Sequence, residues 1–198
     1  MSETNRTGEK SSRRCSFRSA APEVTHALGA ALAGAVLPEL ADAALVCGLC
    51  GPLGAGKTAF AKGFAEGLGL DPRAVSSPTF TLANEYPLAT APRAQAALAG
   101  SESLATEELR WVHADLYRLE AASELLSLGL DEWDEPGCVA LIEWSDRFAE
   151  ALPREQLRSE IQKAPDPEGR GTSRSLDVSA LGAVPERVLA RWQAAASG

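Results

Sequence analysis

No stretch of these 198 residues holds the roughly 20 consecutive apolar side chains a bilayer span requires, and the opening segment lacks the apolar core of a secretory signal. Both absences point to a soluble, cytoplasmic chain without a membrane partner. Asparagine occurs only at Asn5 and Asn84, neither followed by lysine, so the Asn-Lys-x-Asp guanine reader of common GTPases is missing. A basic excess is missing too. Formal net charge is −8, and since residues 1–21 carry +3, the remainder carries −11. Such a body has no basic face with which to grip nucleic acid by itself; any RNA is held by a partner. Cysteine is scarce, at four, and Cys47-Gly48-Leu49-Cys50 has no second Cys-x-x-Cys to pair with. Three apart on a strand, the two thiols face opposite sides and cannot converge on a metal, so they read as buried apolar cysteines of a reducing compartment. No internal repeat is present.

What is present is Gly51-Pro52-Leu53-Gly54-Ala55-Gly56-Lys57-Thr58, the spacing of a phosphate-binding loop. Glycines 51, 54 and 56 let the chain take positive φ and turn backbone N–H groups inward around phosphate oxygens. Lys57 then reaches the terminal phosphates, and the Thr58 hydroxyl is a hard oxygen suited to Mg²⁺. The context fits: Ala43 to Cys50 is a short apolar run of the buried-strand kind, and Thr58 to Leu68 has helical periodicity through Phe60, Phe64 and Leu68. The nucleotide-binding set is therefore residues 51–58 together with Ala59.

At 45% hydrophobic, the chain supports one α/β domain with a proper core. The expected class is a P-loop NTPase domain over residues 22–198, with a central, mostly parallel sheet flanked by helices and antiparallel strands at the carboxyl end. Residues 1–21, Ser/Arg-rich, read as a disordered extension. A first amphipathic helix is expected near Glu23 to Leu37, and after Pro78 a turn leading into an alternating strand through Leu82. Pro87 to Glu108, rich in Ala, Ser, Thr and Pro, has no period and reads as a mobile insertion loop. Strands are expected at Leu109 to Tyr117 and Cys138 to Trp144, then near Gln156 to Gln162 and Ser173 to Ser179, with a helix closing over Val184 to Ala195.

Two of these strands end in carboxylates, Asp115 and Glu143. Ligands of open α/β sheets sit outside the carboxyl ends of strands, so the loop, Asp115 and Glu143 should share one edge. Glu143 reads as a magnesium carboxylate, with Thr58 as the second metal-side oxygen. Asp115 reads as a second metal-shell group or as the group orienting an attacking water. Lys57, Asp115 and Glu143 are the candidate catalytic residues, and ATP and Mg²⁺ the expected cofactors.

Four stretches in this order, "GPLGAGKT", "SSPTFTLANEY", "HADLYRLE" with "ELLSLGLDEW", and "LIEWSDR", resemble the bacterial TsaE (YjeE) ATPases across most of residues 43–153. That resemblance implies an ATPase required for the N6-threonylcarbamoyladenosine (t6A) modification of tRNA. Its partners would be the threonylcarbamoyl-transferase subunit (TsaD-like) and its paralogue (TsaB-like), with tRNA met indirectly through the complex. It also implies a switch loop around Thr79, a Trp144 that packs near the nucleotide or in the core, and a Thr25 near the nucleotide. His113 reads as a satisfied strand-end histidine, and Arg118 and Arg147 as phosphate or partner contacts or as surface ion pairs. The chain departs from the family at Pro52, where relatives commonly carry Asp, at Ala59, where many carry Thr or Ser, and in a lengthened 87–108 segment. A P-loop small-molecule kinase is the alternative, but its arginine-bearing lid finds only Arg93 in that segment. No arginine is obviously placed in cis, which implies slow hydrolysis until partners assemble.

Overall fold

The computed structural model describes residues 13–98, 109–129, 132–166, 169 and 171–196. Its strands are β1 (Arg13–Ser19), β2 (Leu45–Cys50), β3 (Ala83–Pro87), β4 (Arg110–Asp115), β5 (Cys138–Glu143), β6 (Gln156–Lys163) and β7 (Arg174–Leu181). The helices are α1 (Pro22–Val36), α2 (Lys57–Leu68), α3 (Pro92–Leu98) and α4 (Ala183–Ala196), and the segment Ala122–Leu128 is a 3₁₀ helix. One seven-stranded sheet runs in the order β1-β7-β6-β2-β5-β4-β3.

The middle of that sheet is parallel: β2 pairs with both β5 and β6, and β5 with β4. β2 and β5 are covered on both faces, which is why each reads as a continuous apolar run rather than an alternating one. Antiparallel partners complete the margins, β3 against β4 on one side and β7 then β1 beyond β6 on the other. The architecture is the α/β, P-loop-type sheet expected. The carboxyl ends of β2, β4 and β5 consequently open on one edge.

Helices α1, α2 and α4 cover one face, and the core between includes Leu32, Phe60, Phe64, Leu157, Ile161 and Trp192. Over the parallel half of the other face, Leu116, Leu119, Leu125, Trp133 and Leu152 pack on Val112, Ala140 and Ile142. The α1–α2 contact is made by backbone rather than side chain. A Cβ on Gly63 would lie 1.8 Å from the His26 carbonyl oxygen, and one on Gly29 2.1 Å from that of Phe60. Only glycine permits this approach, and it fixes α2, with Lys57 and Thr58 at its start, against α1.

Three expectations need correction. Residues 13–19 of the supposed disordered extension form β1, because Cys15 and Phe17 alternate with arginines and pack on the core, Phe17 lying 4.5 Å from the Trp192 ring. Within the supposed mobile insertion, Pro87 closes β3 and residues 92–98 form α3, with Ala91 and Ala94 buried. Small alanines gave no periodic signal, yet they pack. Pro78 leads into a turn rather than a strand: the Leu82 N–H donates to the Pro78 carbonyl at 2.6 Å, and Leu82 has φ +66°. Residues 1–12 and 99–108 lie outside the described residues. Among those described, no helix is long and apolar enough to cross a membrane.

Candidate functional site

The loop after β2 takes φ values of +133° at Gly51, +74° at Gly54 and +111° at Gly56. A Cβ on Gly51 would lie 2.2 Å from the Ile161 carbonyl oxygen, so glycine is what lets the loop pass β6. Gly56 is the N-cap of α2, whose first-turn N–H groups face the loop's concavity. Pro52 lacks an N–H, but its carbonyl accepts from the Ala55 N–H at 3.1 Å and from Lys57 Nζ at 3.2 Å. The side chain of Leu53 projects into solvent, 83% exposed.

Lys57 is buried. Its Nζ donates to the Gly51 carbonyl at 2.7 Å and sits 3.8 Å from the Trp144 ring centroid. Burial lowers its pKa, against the raising influence of the Glu143, Asp115 and Asp146 charges. Trp144 holds φ +58°, a left-handed conformation that costs a bulky residue energy, and the tyrosine ring of Tyr117 lies 5.0 Å away. Both of its readings hold in part: the ring lies against the loop lysine and, partly buried, also packs on the core that includes Val112, Ala140 and Ile142.

Asp115 and Glu143 end adjacent parallel strands in direct register. Both are buried. Glu143 Oε1 is 3.0 Å from His113 Nε2 and accepts from Thr58 Oγ1 at 3.5 Å. Because Nε2 faces a carboxylate, it carries the proton, and Nδ1 is left buried without a partner. Asp115 Oδ2 accepts from Thr79 Oγ1 at 2.8 Å and Ser77 Oγ at 3.4 Å, while Oδ1 accepts from the Tyr117 N–H at 2.9 Å. These bonds draw the Ser77–Thr79 turn onto the end of β4. Lys57, Thr58, Thr79, Asp115, Glu143 and Trp144 thus line one cleft of about 310 Å³, with Gly54, Ala55, Gly56 and Ala59 on its rim.

The cleft brings together hard oxygens from the Thr58 hydroxyl and the Glu143 carboxylate, with the Asp115 carboxylate at the neighbouring strand end. Among the described residues no group of three or more His, Cys, Asp or Glu could hold a metal ion. A larger depression, about 910 Å³, lies over the open face of β1, β7 and β6. It is lined by Gly51 and Pro52 of the loop and shares Trp144 with the cleft, but Lys57, Thr58, Asp115 and Glu143 do not line it.

Other expectations resolve differently. The Thr25 hydroxyl pairs with Ser19 Oγ at 2.7 Å, and only its methyl backs the loop, 3.5 Å from where a Gly56 Cβ would sit. Arg118 stacks on the Phe80 ring at 4.3 Å and Arg147 donates to the Leu119 carbonyl at 2.9 Å. Cys47 is fully buried, which pushes its thiol pKa up, while Cys50 lies 3.1 Å from Ser145 Oγ; all four thiols are free. One residue went unnoticed in the sequence. Arg174, at the start of β7, donates through Nε to the Ala55 carbonyl at 3.0 Å and through Nη2 to that of Gly54 at 3.4 Å. No local pattern marks it, since it stands 119 residues from Ala55.

Comparison with known proteins meets this geometry. Residues 19–172 match the family described as threonylcarbamoyl adenosine biosynthesis protein TsaE. The tRNA threonylcarbamoyladenosine biosynthesis protein TsaE of Bacillus subtilis is 40% identical over 152 residues, covering 77% of this chain and 80% of that protein. The protein of the same name from Treponema pallidum is 34% identical over 61% of this chain and 74% of its own. The crystal structure of Bacillus subtilis YdiB superposes with a TM-score of 0.63 at 30% identity, covering 93% of this chain and 97% of that one.

Proposed function

This chain belongs to the TsaE family of threonylcarbamoyl adenosine biosynthesis proteins, and we propose that its cleft binds and hydrolyses Mg²⁺·ATP in support of the t6A modification of tRNA. The observation carrying the reading is Lys57, Thr58 and Glu143 gathered at the mouth of one glycine loop. In this reading Lys57 exchanges the Gly51 carbonyl and the Trp144 ring for the terminal phosphates. The backbone N–H groups at the start of α2 cradle the remaining phosphate oxygens. Thr58 and Glu143 hold Mg²⁺, whose chemistry, when bound, is to neutralise charge developing on the phosphoryl oxygens. His113 keeps the Glu143 carboxylate aimed. Asp115 either orients the attacking water or joins the metal's outer shell, and its bond to Thr79 ties that role to the position of the Ser77–Thr79 turn.

The partners are a TsaD-like threonylcarbamoyl-transferase and its TsaB-like paralogue. Transfer chemistry belongs to the transferase, tRNA is met through the complex, and ATP hydrolysis resets it between rounds. Arg174 is spent on loop carbonyls, and with no arginine obviously placed in cis the reading takes the transition-state cation from a partner and has the isolated chain turn over slowly. The test is reconstitution of tRNA modification with and without this chain, counting t6A formed per transferase, together with phosphate release with and without both partners. The expected result is product beyond one turnover only when this chain and ATP are present, with faster release in the complex. Multiple turnovers without it, or equal release rates, would reject the reading.

A further inference from the structure

The loop that is to hold phosphate contains a peptide plane whose carbonyl is held from outside the loop. Gly54 and Gly56 flank Ala55, both at positive φ, and a Cβ on Gly54 would meet nothing within 4 Å. The Ala55–Gly56 peptide turns about the Ala55 Cα–C and Gly56 N–Cα bonds, and Gly56 passes readily between left- and right-handed conformations. All peptides here are trans, and in a trans peptide the C=O of one residue and the N–H of the next point opposite ways. Whatever holds the Ala55 carbonyl outward therefore turns the Gly56 N–H the other way, toward the cleft. Turned over, the same peptide would present a carbonyl oxygen to an anion.

The group that holds that carbonyl is Arg174. Its Nε bonds the Ala55 carbonyl at 3.0 Å and its Nη2 the Gly54 carbonyl at 3.4 Å. The guanidinium is itself fixed, because Nη1 donates to the Gly171 and Ser173 carbonyls at 3.0 and 2.9 Å. A planar fork with four bonds to neutral carbonyls is rigid in a way that an ammonium is not. β6 supports the same end of the loop, with the Ile161 carbonyl lying where a Gly51 Cβ would be. We infer that Arg174 is a positioning residue for the nucleotide: it locks the Ala55–Gly56 peptide with its N–H toward the phosphates and adds a positive charge behind the loop. The antiparallel margin of the sheet thereby acquires a part in nucleotide binding.

This inference rests on the nucleotide reading of the cleft, and one titration separates the two. Binding of a fluorescent ATP analogue with Mg²⁺ is measured for the full chain and for Arg174→Ala and Arg174→Lys, with steady-state ATPase alongside. Expected are tight binding by the parent chain, a dissociation constant raised about tenfold or more in Arg174→Ala, and partial recovery in Arg174→Lys, which keeps the charge but not the fork. KM should rise while kcat at saturation stays within about threefold, a split that partial unfolding does not produce. No binding by the parent chain overturns the nucleotide reading itself. Parent-like affinity in the alanine variant, or a fall in kcat with KM unchanged, overturns the role of Arg174 alone. If the alanine variant does not fold, Arg174→Lys decides: a raised dissociation constant supports the role and an unchanged one rejects it.

Discussion

The Lys57 ammonium lies 3.8 Å from the centre of the Trp144 ring while it donates to the Gly51 carbonyl. A cation over an indole face is stabilised by roughly 0.5–2 kcal/mol, a contact strong enough to park the lysine and weak enough to yield to a triphosphate. Trp111, Trp133 and Trp192 are fully buried, whereas Trp144 borders the cleft. Nucleotide binding should therefore change tryptophan emission, and Trp144→Phe should abolish the change while binding, read by calorimetry, persists. An equal emission change in Trp144→Phe would show that the signal comes from another tryptophan and not from the Lys57–Trp144 contact.

Glu143 is held by His113 and Thr58 within a buried cleft. Its replacement by alanine should lower Mg²⁺-dependent phosphate release by at least about a hundredfold, the scale on which single electrostatic groups act. The fold should survive, with a melting temperature within a few degrees of the parent. Persistent turnover would remove Glu143 from the metal site.

Thr79 donates to Asp115 at 2.8 Å, linking the turn after Pro78 to the end of β4. Thr79→Val keeps the shape and deletes the bond. Loss of a hydrogen bond to a charged group is about 1.5–3 kcal/mol, so kcat should fall roughly tenfold or more if the turn's position sets the hydrolytic geometry. The affinity for ATP should hardly move. Single-turnover kinetics beside equilibrium binding would distinguish this from a shared loss of both.

Far from the cleft, Glu39 binds the guanidinium groups of both Arg187 and Arg191 and ties α4 to the end of α1. The Arg187 hydrogen bonds hold its carboxyl below the usual carboxylate range, against a raising contribution from burial. A depressed folded-state pKa stabilises the protein above the unfolded pKa, and the stabilisation fades as pH falls through the folded one. The arginines are about half exposed, so solvent screening keeps the contribution small. Glu39→Gln should melt below the parent at pH 7, and the gap should narrow as pH drops below about 4.

Much of the site was legible in the chain because its parts are local. Glycines at 51, 54 and 56 followed by Lys-Thr can do little else after a buried strand, and β4 and β5 announce their terminal carboxylates by the apolar runs that precede them. What escaped was what depends on partners remote in sequence. β1 looked disordered because its Cys15 and Phe17 gain a surface only once β7 and Trp192 are in place. α3 gave no periodic signal because alanines at 91 and 94 bury little area each, and the strand after the Pro78 turn starts only at Ala83 because Asp115 holds that turn through Thr79.

By itself, then, the sequence determined the loop and the order of strands and helices in the parallel half. Those properties follow from backbone freedom at glycine and from apolar periodicity, which act over a few residues. The tertiary structure decided that His113 aims Glu143, that Trp144 holds Lys57, and that Arg174 reaches across from β7 to fix the orientation of a peptide in the loop. A hydrogen bond has a range of about 3 Å and takes no account of separation along the chain. Only folding brings such donors and acceptors within it.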